Sequence, residues 1–157
     1  MELLSLKFTE LITAVPILLA IEALFSGSEI AILSCDKARL RKKAKEGSKG
    51  SRLALMLSDR QEIVLSTTLL VTSLCIILLS TMITIFISQK WGESREVISI
   101  VITSALVIVL GELMPKALFR RLANRLAPKV SYVIWFAFYF FYPITFFLSF
   151  VNSKLSK

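Results

Sequence analysis

Apolar residues along this chain fall into four long blocks, 11–34, 63–88, 97–118 and 131–151, divided by short charged stretches. About 20 apolar residues is the length an α-helix needs to cross a bilayer core of roughly 30 Å. The first three blocks are therefore expected to be membrane-crossing helices. The fourth reads differently: Tyr132, Trp135, Tyr139 and Tyr142 suit the membrane–water boundary, and Pro143 is expected to interrupt the helix. That block is expected to lie along, or re-enter, one face of the membrane, with a fourth crossing as the alternative. Between the first two blocks, Ala38, Leu40 and Ala44, then Leu53 to Leu57, mark two short helices around Gly47 to Gly50. They predict a helical hairpin over 36–60.

Composition excludes several classes outright. Of 157 residues, 55% are apolar and 19% charged, and the mean hydropathy is +0.74. A soluble domain has about 45–50% apolar and about 25% charged residues, so an ordinary soluble enzyme, a disordered tail and a disulfide-built secreted domain are ruled out. The expected fold is an all-α integral membrane domain over the whole of 1–157. There is no histidine, hence neither the commonest general base nor the commonest transition-metal ligand. With no activated nucleophile or phosphate loop either, the chain does not read as an enzyme. Cys35 and Cys75 have no spacing that indicates a disulfide or a zinc site.

Net charge is +8, but its placement points to membrane orientation and not to nucleic acid. From Asp36 to Glu62 there are nine basic residues against four acidic ones, and from Lys116 to Lys129 five basic residues and no acid. The link from Gln89 to Glu96 is neutral. Both basic stretches are expected in the cytoplasm, with the link and the N-terminus outside and the protein in the plasma (inner) membrane. The segment before the first block holds Glu2, Lys7 and Glu10, a negative balance that fits a retained span and not a signal peptide. The hairpin's cations are expected to sit against anionic lipid headgroups.

Acids within the spans carry the most information, because each costs at least about 2.5 kcal/mol at mid-membrane. Glu22, Ser26 and Glu29 fall at i, i+4 and i+7, on one face of the first helix. Glu112 lies in the run Gly111-Glu112-Leu113-Met114-Pro115-Lys116. Proline has no N–H to give the carbonyl four residues back, so Pro115 is expected to free the Gly111 carbonyl beside the Glu112 carboxylate. These are hard oxygen ligands suited to Mg2+ or Ca2+. Ser26-Gly27-Ser28 is expected to unwind locally and supply a matching break, as discontinuous helices do in transporters. Ser66, Ser73 and Ser80 form a hydroxyl stripe on the second span, and Ser26, Ser73 and Glu112 are expected to converge in the inner half of the bilayer. The alternative is that the stripe only joins helices.

Three runs resemble the transmembrane domain of the CorC/CNNM (cyclin M) family: Phe25-Ser26-Gly27-Ser28-Glu29-Ile30-Ala31, the basic hairpin from Ala38-Arg39-Leu40-Arg41, and Gly111 to Lys116. The resemblance extends from about Leu24 to the C-terminus. It implies a homodimer with three spans per subunit, a cytosolic helical pair and a juxtamembrane belt helix. It also implies Mg2+ transport, with Na+ as a coupling ion and export as the direction. By motif the resemblance implies a metal site with Ser26, Gly111 and Glu112; with the reading of the residues above, the expected site is Ser26, Gly27, Ser73, Gly111 and Glu112, with Glu22, Ser28, Glu29, Pro115 and Lys116 in support. Two departures stand out: Ser73 occupies a position where the family has asparagine, and Glu22 stands one turn before the serine where a small residue is usual. Paired CBS domains normally follow in the family and are absent from this chain, which is expected to be an excised membrane domain or a short form.

The expected function is a divalent-cation transporter, Mg2+ being the ion, whose spans rock around the Ser26, Ser73 and Glu112 site. The competing expectation is a non-transporting membrane adaptor that keeps the fold and binds a partner protein through its fourth helix or basic hairpin.

Overall fold

A computed structural model describes residues 8–91 and 96–155, with side chains described over 12–90 and 97–142. The neutral link at 92–95 and the extreme termini lie outside the described residues. Every described element is a helix: α1 (Phe8–Leu33), α2 (Lys37–Lys45), α3 (Lys49–Asp59), α4 (Gln61–Trp91), α5 (Glu96–Leu106), a π-helical segment (Val107–Leu113), α6 (Met114–Arg121) and α7 (Ala123–Leu155). The fold is all-α, with no strand among the described residues.

Three stretches are long and apolar enough to cross a membrane: Ile12–Leu33, Gln61–Lys90 and Val97–Arg121. In the most apolar 18 residues of each, only 33%, 28% and 22% are buried within the chain, so most of each surface is left for lipid or a partner. Ile77, Leu69 and Val101 are among the large apolar side chains that face outward. In water such faces would be a liability; in a bilayer they meet a solvent as apolar as themselves.

Two expectations about helix breaks are corrected. Helix α1 runs through Ser26, Gly27 and Ser28 without unwinding. A continuous helix pairs every backbone group at membrane depth internally, whereas a single glycine costs only about 1 kcal/mol relative to alanine. Likewise α7 continues past Pro143 to Leu155. A proline removes one hydrogen bond and bends a long helix without having to end it.

The chain forms two compact units, Met1–Gly27 with Val71–Leu118 and Ser28–Leu70 with Phe119–Lys157. The second holds the hairpin. Asp36 caps α2, its Oδ1 accepting from the backbone N–H groups of Ala38 (2.9 Å) and Arg39 (3.3 Å). Gly47, at φ 96°, takes the left-handed conformation that turns the chain after α2. Ser48 then caps α3 through its Oγ. Each such cap stabilises its helix by about 1 kcal/mol. Lys37 Nζ lies 2.8 Å from Asp59 Oδ1, tying the start of α2 to the end of α3. That hydrogen bond holds the Asp59 carboxyl below its ordinary pKa.

Helix α3 lies close against α7. A Cβ at Gly50 would collide with the Pro128 carbonyl oxygen, and Ser131 Oγ donates to the carbonyls of Gly50 (3.3 Å) and Pro128 (3.0 Å). Cys35, Leu40, Ala54, Ala123 and Ala127 close a small core with Leu55 against it. Burial pushes the Cys35 thiol's pKa up, keeping it a neutral packing group. On α7 the buried positions Ala123, Ala127, Val130, Ser131, Ile134 and Ala137 recur at helical spacing. The opposite face carries Phe136, Tyr139 and Phe140, each at least two-thirds exposed.

Candidate intramembrane cation site

The first unit contains Glu22, Ser26, Cys75, Gly111, Glu112 and Lys116. Glu22 is fully buried, and neither carboxyl oxygen has a hydrogen-bond partner among the described residues. Its carboxyl group occupies the space where a side chain at Gly111 would begin. A Cβ there would lie 2.7 Å from Glu22 Cδ and 2.8 Å from each oxygen. Any larger side chain at 111 would have to push the Glu22 carboxyl group aside.

Gly111 sits inside the π-helical segment. The backbone N–H of Met114 bonds the carbonyl of Val109, five residues back, instead of four. Pro115 follows at once as the second residue of α6, and the wide turn before it accommodates the missing N–H and the ring. The expected free carbonyl at Gly111 is therefore embedded in a wide turn that absorbs the proline, not in an open break. Single-turn π segments of this kind recur at functional sites.

Ser26 lies one turn beyond Glu22 on the same face; it is 2% exposed and its Oγ has no partner among the described residues. Glu112 is half-exposed, and one of its oxygens lies 3.3 Å from Lys116 Nζ, one helical turn on. The charges of both Glu112 and Lys116 act on Glu22. So the two acids differ in kind: Glu112 pairs with Lys116 at 3.3 Å, whereas the Glu22 oxygens have no hydrogen-bond partner among the described residues.

The remaining expected site residues separate. Ser28 is fully buried and Gly27 buried, both within the unbroken α1. In the second unit, half-buried Glu29 is engaged, its Oε2 accepting from Thr68 Oγ1 at 2.7 Å. Ser73 is exposed and is not brought to Ser26 and Glu112 within the chain. The inward stripe of α4 is Val71, Cys75, Leu79, Ile83 and Ile87, and Ser73 stands two residues, or about 200°, away from its first two members. Cys75 takes the place expected of Ser73. It is buried and lies within electrostatic reach of Glu22. The sequence alone gives it no role, because its four-residue spacing from Val71 and Leu79 is matched by that of Ser73 from Leu69 and Ile77.

Among the described residues, no three of His, Cys, Asp and Glu gather as a metal cluster. The donors present are instead carboxylate, hydroxyl and main-chain oxygens, a hard set suited to Mg2+ or Ca2+ and poor for transition metals.

Comparison with known proteins adds a consistent result. A family model described as the cyclin M transmembrane N-terminal domain matches residues 13–157. A UPF0053 protein of Haemophilus influenzae is 26% identical over 153 residues, covering 98% of this chain and 36% of that protein. The UPF0053 inner membrane protein YfjD of Escherichia coli K12 is 27% identical over 114 residues, covering 73% of this chain and 27% of that protein. The chain thus spans roughly a third or less of the length of these relatives.

Proposed function

This chain belongs to the cyclin M transmembrane domain family, and on that premise we propose that it moves a divalent cation, Mg2+, across the membrane. The ion is taken up by oxygen donors of Glu22, Ser26, Glu112 and the main chain around Gly111. Export is the direction, with Na+ as coupling ion, in a homodimer whose basic hairpin faces the cytoplasm. One observation carries the reading: Glu22 is fully buried with two unpartnered carboxyl oxygens. An ionised carboxylate so placed costs several kcal/mol unless a cation or proton compensates it. A mobile cation supplies that compensation and can leave again.

The reading promotes Glu22 from support to centre. Flux of Mg2+ into or out of proteoliposomes, followed with a trapped indicator, tests it. Wild-type protein should carry Mg2+ and Glu22→Gln should abolish most of the flux; equal flux in both would refute the assignment.

A second reading, a membrane adaptor without transport, is favoured by the Glu112–Lys116 pair. Lys116 already offers Glu112 a positive partner without any ion. In that case neither protein would carry Mg2+ above the leak of empty vesicles.

A further inference from the structure

The second unit holds a cavity of about 290 Å³ that the cation site does not use. Its lining is Arg39 and Lys43 of α2, Arg121 at the end of α6, Leu122, and Asn124 and Arg125 at the start of α7. Four cations surround it and no acid does. None of the four holds an ion pair among the described residues, the ion pairs there being Lys37–Asp59 and Lys116–Glu112. Asp36, an acid close in sequence, is occupied with the first backbone N–H groups of α2.

One wall is fixed in place. The backbone N–H of Asp36 donates to Asn124 Oδ1 at 2.7 Å, which leaves the Asn124 amide NH2 as a further donor. Guanidinium groups and an amide arranged about a small space match the oxygens of a phosphate. The volume is at the small end for ligand pockets, which begin at about 300 Å³, so it fits a headgroup and not a whole lipid. Arg121 is the last residue of the third candidate span, and Arg39 lies six residues past the end of the first. Both positions follow the apolar stretch of a candidate span, where a chain leaving the hydrocarbon core meets headgroups. Exposed Leu122 on the rim offers an apolar contact for the start of an acyl chain.

We propose that this cavity binds the phosphate of an anionic phospholipid headgroup, as a discrete site and not as diffuse attraction to a basic surface. The proposal is independent of the cation site.

Native mass spectrometry of the full chain in a neutral detergent tests it, with phosphatidylglycerol and phosphatidylcholine supplied in equal amounts. Wild-type protein should retain phosphatidylglycerol selectively. Arg39→Gln/Arg125→Gln, which changes two exposed side chains, should retain at least about tenfold less, the loss of charge-assisted contacts to the phosphate. Lys45→Gln/Arg52→Gln removes the same charge from exposed positions outside the cavity and should change retention by less than about twofold, since neither side chain lines the site. Equal losses in the two variants, no loss in the first, or equal retention of both lipids would each overturn the proposal. Inorganic phosphate in large excess separates the sources of the anion. Unchanged lipid retention supports a lipid site, whereas bound phosphate that displaces the lipid would overturn it and assign the cavity to a soluble phosphate.

Discussion

The Glu22 carboxyl group fills the volume that a side chain at Gly111 would need, with Cδ 2.7 Å from the position of the missing Cβ. The position of the Glu22 carboxyl group on α1 is thereby coupled to the absence of a side chain at 111 in the π-helical segment. Gly111→Ala should displace the end of a flexible side chain and not a backbone atom. Its stability cost should therefore stay near the lower end of the ~1–3 kcal/mol typical of overpacking, while Mg2+ binding weakens. In a double-mutant cycle read by thermal unfolding, the alanine should cost less in a Glu22→Ala background, because the colliding group is gone.

Removing charge from the two acids should have opposite consequences in metal-free detergent. Glu22→Gln relieves an uncompensated buried carboxylate and should raise the unfolding free energy by about 1–3 kcal/mol. Glu112→Gln breaks a half-exposed pair with Lys116, and such pairs contribute about 0–1 kcal/mol, so it should be neutral or slightly destabilising. Thermal unfolding of the purified variants at one pH checks the sign of each.

The spans and the hairpin were legible because each is written in run length and charge: about 20 apolar residues between charged segments, and two short apolar runs on either side of Gly47 to Gly50. Which face of a span points inward was not. Lipid is as apolar as a protein core, so α4 shows no amphipathic contrast, and Ser73 and Cys75 could not be told apart by periodicity. The π-helical turn was hidden too, because Pro115 announces a freed carbonyl but not how the backbone accommodates it. Glu22 was visible as a mid-span acid, yet its rank over Glu112 depends on where Lys116 lies.

That difference between neighbouring positions is itself testable. Ser26→Ala removes a buried hydroxyl and should weaken Mg2+ binding about fivefold, the value of one neutral oxygen worth about 1 kcal/mol. Ser73→Ala changes an exposed position and should leave binding within about twofold. Isothermal titration of both variants decides between the sequence expectation and the structural one.

The hairpin should lose stability in acid. The Asp59 carboxyl is held below its ordinary pKa chiefly by its hydrogen bond from Lys37. Its contribution is present above the unfolded value of about 3.9 and is lost as pH falls through the lower folded value. Limited proteolysis of the Glu46–Ser48 turn against pH should show this loss in the wild type and not in Asp59→Asn.

Contact between α3 and α7 should be far less forgiving than that at Gly111. A Cβ at Gly50 meets the Pro128 carbonyl, which is backbone, so Gly50→Ala should destabilise the second unit by about 1–3 kcal/mol. Faster proteolysis between α2 and α3 would register it.

Mg2+ binding is proposed to depend above all on the Glu22 carboxylate. Equilibrium Mg2+ binding to the purified chain in lipid nanodiscs, wild type against Glu22→Gln, tests it most directly. The account predicts saturable binding by the wild type and at least about tenfold weaker binding by the variant, the loss of one charged ligand worth about 1.5–3 kcal/mol. Mg2+ binding of the same affinity in Glu22→Gln would contradict it.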